Sequence, residues 1–158
     1  MRPVRSITLA VLVVVSACAD TREEPPTPDV GMRMPPPEWA QGTWVVARHL
    51  IPGISAMTDA QAASWDGRTL TISDSAAVET DTRCALPSYS ESLVQSDSIR
   101  WSFRLAPGTL PLREPASTVL DVLCDGAPWT AFGGSLIVIH PDTVLAPWDG
   151  VFFVLGRR

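Results

Sequence analysis

The imidazoles and thiols, the side chains whose ionisation lies nearest neutral pH, number five in this sequence: His49, His140, Cys18, Cys84 and Cys124. His140-Pro141-Asp142 sets a histidine close to a carboxylate. Residues this near in sequence rarely form a His–Asp dyad, and Pro-Asp after an apolar run reads as the turn that ends a strand. His49 falls on an apolar, β-branched stretch and reads as a surface or satisfied histidine. Asp121 interrupts an apolar run and, on an alternating strand, faces water; Gly133-Gly134-Ser135 reads as a turn or bulge. There is no GxSxG elbow, no HExxH and no glycine-rich loop after a strand. The chain has no lysine, which excludes a Schiff-base or phosphate-loop lysine, and no asparagine, which excludes N-glycosylation. The expectation is a protein without a catalytic site, metal or cofactor.

Cys18 belongs to a different chemistry. Arg2 and Arg5 precede the apolar run Ile7–Val15, and Val15-Ser16-Ala17-Cys18 follows directly. The run is too short to cross a bilayer, which takes about 20 apolar residues, and its length suits a signal peptide. The segment resembles the lipobox of bacterial lipoproteins. That resemblance implies a signal peptide over residues 1–17, cleavage after Ala17, a diacylglyceryl thioether on Cys18 and a further acyl chain, such as palmitate, on the new amino group. Such chains hold the protein on a membrane at about 0.8 kcal/mol per buried CH₂. Ala19, and not aspartate, follows the cysteine. By the Gram-negative sorting rule this implies the outer membrane, facing the periplasm.

With Cys18 assigned to lipid, Cys84 and Cys124 remain as a pair in an oxidising compartment, and a structural disulfide is the expectation. The rival, a redox or metal pair, lacks CxxC spacing and has only the two histidines to help it. Residues 18–38 form the lipidated terminus and a linker. Pro25-Pro26-Thr27-Pro28 and Pro35-Pro36-Pro37 favour an extended, polyproline-like spacer. Formal net charge is −5; without residues 1–17 the chain has 10 basic and 17 acidic residues and a net charge of −7. An acidic, lysine-free chain is a poor binder of phosphate backbones, so nucleic acid is not an expected partner.

The elements that would carry these residues lie in one domain, residues 39–158, of mainly β class. Strands are predicted over Gly42–Leu50, Arg68–Ser73, Ser98–Leu105, Thr118–Cys124, Ser135–His140 and Val151–Leu155. In the third of these, Trp101, Phe103 and Leu105 alternate with Arg100, Ser102 and Arg104 and are expected against a core. Leu136-Ile137-Val138-Ile139 is continuous and is expected to be buried on both sides. Thr58 and Gln61 match a capping box that opens a short helix near residues 59–65, with Gly67 as its C′ glycine. Asp149-Gly150 and Asp125-Gly126 signal hairpins with both central residues at positive φ. The pattern suggests an antiparallel meander closing into a small barrel, with a β-sandwich as the alternative.

Gly42-x-Trp44 on the first strand and an apolar last strand ending in Arg157-Arg158 resemble the lipocalin or calycin pattern. The resemblance implies that Trp44 plugs the barrel base and that Arg157 or Arg158 covers it through a cation–π contact. Six tryptophans stand against one tyrosine. Core packing is the default for each, and Trp101, Trp129 and Trp148 are candidates for a ligand cavity or a partner patch. The functional expectation is a membrane-anchored envelope lipoprotein binding a small apolar ligand inside the barrel. The alternative is one that binds, assembles with or inhibits an envelope protein.

Overall fold

Apolar side chains in the second half of this chain leave both faces of their strands, and this determines how the sheet is covered. The computed structural model describes residues 33–158; the predicted signal peptide, Cys18 and most of the proline-rich linker lie outside the described residues. Gly31–Arg158 forms one compact unit with its own core. Its strands are β1 (Gly42–Leu50), β2 (Thr69–Ile72), β3 (Ala76–Glu79), β4 (Thr82–Ala85), β5 (Ser88–Gln95), β6 (Ala116–Cys124), β7 (Ala127–Pro128), β8 (Ser135–His140), β9 (Thr143–Trp148) and β10 (Val151–Arg157). Helix α1 (Asp59–Ala63) links β1 to β2, and α2 (Ser96–Ser102) lies between β5 and β6.

All the strands join one antiparallel sheet in the order β4-β3-β2-β1-β10-β9-β8-β6-β5, with β7 a short hairpin partner of β6. The meander expectation is met and the sandwich alternative is not. The sheet curls into a half-barrel, and no ladder joins its outermost strands, β4 and β5. Two ties cross this seam: the Cys84–Cys124 disulfide and the Tyr89 hydroxyl donating to the Ser73 carbonyl at 2.8 Å. The extended residues before β1 also lie against β5, where the Tyr89 N–H donates to the Met34 carbonyl at 3.0 Å.

Alternation sorts the core into two clusters. Leu120, Val122, Leu136, Val138, Val144, Phe153 and Leu155 face the concave side with Trp44, Leu70 and Phe132. Val119, Ile137, Leu145, Phe152 and Val154 face the convex side. A strand that is apolar on both faces must be covered twice. The β5–β6 connection supplies the second cover, bringing Ile99, Leu105, Leu110 and Leu112 onto the convex face. The buried Ile99 and Leu110 each contribute about 1.5–3 kcal/mol, and the half-buried Leu105 and Leu112 less.

Local signals account for much of this. Asp149 and Gly150 have φ of 49° and 84°, and Asp125 and Gly126 have φ of 52° and 78°, as the two hairpins require. Thr58 Oγ1 accepts from the Gln61 N–H, and the Gln61 side chain accepts from the Thr58 N–H, completing the capping box of α1. Gly67 is not its C′ residue. The helix is capped at Ser64 and passes through further tight turns, and Gly67 (φ 83°) then turns the chain into β2.

The strand predicted over Ser98–Leu105 is a correction: residues 96–102 are helical. Arg100 pairs with Asp97 one turn earlier at 2.6 Å and also with Glu114. The end is a Schellman motif, in which the Leu105 N–H donates to the Arg100 carbonyl at 2.8 Å and the Arg104 N–H to the Trp101 carbonyl at 3.1 Å. Ile99 and Phe103, one turn apart, anchor the segment, Phe103 meeting Phe152 edge-on at 4.8 Å. These local bonds outweigh the two-residue alternation. Strands β3, β4 and β5, which sequence reading passed over, are short or polar and occupy the outer positions of the sheet.

The disulfide closes a sequence separation of 40 residues. Chain entropy sets its contribution at about 4 kcal/mol. Replacing both Cys84 and Cys124 by alanine is expected to lower the unfolding free energy by about that amount. Urea titration of the oxidised protein against the double variant measures it.

Candidate functional site

Four places carry the residues singled out by sequence. The first is at the start of β1. Gly42 adopts φ 111°, a backbone region that side chains rarely enter, and its missing Cβ would lie 3.5 Å from the Arg157 guanidinium. Trp44 is fully buried and its indole N–H donates to the Ala40 carbonyl at 2.9 Å. The β1–β10 register sets Trp44 opposite Arg157, whose Cζ lies 4.6 Å from the indole centroid. Arg157 also donates to the Gln41 carbonyl at 2.8 Å and to the Trp39 carbonyl. Gly42, Trp44 and Arg157 are thus brought together, while Arg158 is exposed.

Near the same seam lies Tyr89, the one tyrosine of the chain. Burial pushes its phenol up to about 12; the Ser73 carbonyl bond acts the other way, and Asp74 adds a smaller upward push.

The second place is the end of the sheet where β1 finishes and β10 begins. The β1–β2 connection folds over it, held by the Ala56 N–H and the Ser55 hydroxyl, both donating to the Asp149 carbonyl at 2.8 and 3.0 Å. Trp65 stacks on Phe153 with centroids 4.8 Å apart and planes 10° from parallel, and it also meets Phe132 and Trp148. The Arg68 guanidinium covers its outer face at 4.0 Å and pairs with Glu79 at 3.3 Å. In the sequence Trp65 is one of six tryptophans, with no motif of its own. Its place just after the capped helix was the available signal.

The third place is a depression of about 430 Å³ on the outside of the sheet. Leu123, Pro128, Trp129, Pro147 and Trp148 line it, with Asp121 and Ser135 joined on one side by a 2.8 Å hydrogen bond. A narrower apolar furrow of about 160 Å³ continues past Ser135 and Pro147 to Ile99 and Phe103. Two of the three candidate aromatics, Trp129 and Trp148, border this depression, but Trp129 is buried in the concave core and Trp148 is half-buried against it. Trp101 does not join them. It stands on α2 and is 84% exposed, contrary to the inward position that alternation implied.

The histidines form the fourth group, and they remain apart. His49 has Nε2 at 3.1 Å from Asp59 and Nδ1 at 3.9 Å from Asp66, so it pins α1 and its following turn to β1. His140 is exposed at the end of β8, paired across the β8–β9 turn with Thr143, and Asp142 points its carboxylate towards Arg157 Nε at 3.6 Å. Among the described residues no three His, Cys, Asp or Glu side chains converge as a metal site would need. Nor is any described helix long and apolar enough to cross a membrane.

Comparison with family models, with curated proteins and with solved structures finds no match to this chain.

Two expectations follow. Arg157→Met removes the guanidinium from the indole and from two carbonyls while keeping much of the aliphatic stem; a loss of about 2 kcal/mol is expected in denaturant unfolding. For Tyr89, the folded phenol ionises later than the unfolded one. Its contribution is intact below pH 10 and is lost as pH rises towards about 12. Absorbance at 295 nm, which the single tyrosine makes unambiguous, is expected to titrate near 12 in the folded protein, and Tyr89→Phe to flatten that alkaline loss of stability.

Proposed function

We propose that this chain is a lipid-anchored protein of the bacterial cell envelope whose domain binds a partner protein on its outer surface and performs no chemistry of its own. The anchor reading rests on Val15-Ser16-Ala17-Cys18 and the apolar run before it, with Ala19 favouring the outer membrane, periplasmic side. The observation that carries the binding mode is the occupied concave face. Trp44, Leu70, Leu120, Phe132, Leu136, Phe153 and Leu155 fill it and are at most 1% exposed. A ligand there would have to displace side chains that the fold needs, because interiors pack near crystal density.

The outer depression has the makeup of a protein contact. Trp148, Pro128, Pro147 and Leu123 supply rigid apolar surface over the buried Trp129, and Asp121 supplies a carboxylate for orientation. Aromatic anchors of this kind carry most of the energy in small interfaces. The acidic, lysine-free composition is against a nucleic-acid partner and is compatible with a basic or apolar protein surface.

A second reading, a small apolar ligand held inside the half-barrel, is favoured by the aromatic group under the β1–β2 connection. It requires Trp65 to leave Phe153. The two readings separate in one set of measurements. Cys18→Ser is expected to abolish fatty-acid labelling and to release the protein from membranes. A photo-crosslinker placed at Pro128, which is exposed, is expected to capture a defined envelope protein in intact cells. Saturable quenching of tryptophan fluorescence by long-chain fatty acids, with no protein captured at position 128, would establish the ligand reading in its place.

A further inference from the structure

We infer that the exposed corner formed by the C-terminal end of α2 and the loop after it rests on an anionic phospholipid surface and orients the tethered domain. The inference depends on the lipid anchor proposed above.

Four observations meet at this corner. First, Trp101 is 84% exposed although the segment is well ordered by its own bonds. Ile99 is buried against the sheet, and two residues further on a helix the direction has turned by roughly 200°, so Trp101 points to solvent. Second, Arg104 occupies the C′ position of the Schellman motif with φ 55°, a place where glycine is the usual occupant. Arginine at this position puts an exposed charged side chain where the backbone would favour glycine. Third, residues 98–113 contain Arg100, Arg104 and Arg113 and no acid, in a chain whose net charge is −5. Asp97 and Glu114 engage Arg100, whereas Arg104 and Arg113 make no salt bridge among the described residues. Fourth, exposed Ala106, Pro107 and Pro111 complete the rim with uncharged groups.

An exposed indole grouped with the guanidinium of Arg104, which has no salt bridge among the described residues, is the pairing that membrane–water interfaces favour. Arg113 lies at the other end of α2, where its carbonyl accepts from Ser96. The net negative charge of the domain does not forbid the approach. At physiological ionic strength charges more than about 8 Å away are largely screened, so the local balance decides. Residues 18–33 reach at most about 50 Å when extended, so the domain stays near the lipid and a weak contact suffices.

The test uses residues 31–158, the compact unit, made without lipid, and vesicles of phosphatidylethanolamine with phosphatidylglycerol set against vesicles of phosphatidylcholine. Co-sedimentation with the anionic vesicles is expected, lost at 0.5 M salt. Trp101→Ala and Arg104→Gly are each expected to lower the partition about five-fold. Arg104→Gly is expected to raise Tm at the same time, which a purely structural role for Arg104 would not couple to weaker binding. Equal partition on both vesicle types, or unchanged partition in both variants, overturns the inference. So does a photo-crosslinker at position 101 that captures a protein and no phospholipid in intact cells. Failure of Cys18 labelling in the full chain would remove the anchor while leaving the vesicle result to stand, so the two readings fail separately.

Discussion

The structure depends on one long-range ladder. β1 pairs with β10, residues 42–50 with residues 151–157, and every other neighbour in the sheet except across the seam is joined by a local connection. Bringing these segments together costs loop-closure entropy that no nearby contact offsets, so the ladder must be reinforced by what it creates. It creates a great deal. The register aligns Trp44 with Arg157, closes the concave face over Phe153 and Leu155, and hands the guanidinium to two carbonyls ahead of β1. The bulge between Val46 and Arg48 adjusts the strand within that ladder.

From the same constraint follows the role of the β5–β6 connection. Strands β6, β8, β9 and β10 carry apolar groups on both faces, and a half-barrel has only one inside. α2 and the loop after it are the convex cover, held by Ile99 and Phe103 from the apolar side and by the Asp97–Arg100–Glu114 ion pairs at the rim. Trp101 is the residue in this cover that is left 84% exposed, and this makes it informative.

How much was legible from sequence depended on whether the signal was local. The Thr58–Gln61 box, the two Asp-Gly turns and the turn at Pro141-Asp142 each rest on interactions within a few residues, and each is found in place; the strands β8 and β10 are marked by their continuous apolar runs. Trp101-Ser102-Phe103-Arg104-Leu105 misled because alternation is compatible with a helix end when the anchors stand at Ile99 and Phe103. The short strands at the sheet edge, such as Thr82–Ala85, owe their conformation to hydrogen bonds with a neighbour and hold little pattern of their own. The candidate site was legible in composition but not in placement. That Trp129 and Trp148 converge, that Trp65 stacks inward and that Trp101 stands alone are facts of register and covering, which six identical letters cannot convey. The histidines illustrate the same point, since each is explained by the strand end or helix it holds.

The ladder between β1 and β10 has a further meaning for biogenesis. A chain made from its N-terminus presents β1 early, but the strand that completes the sheet is available only once residue 157 has been made. Until then the concave face lacks its central wall, and the first strand has no neighbour on that side. Such a polypeptide acquires a stable core only after almost the whole domain has been made, so the sheet is completed late and as a unit.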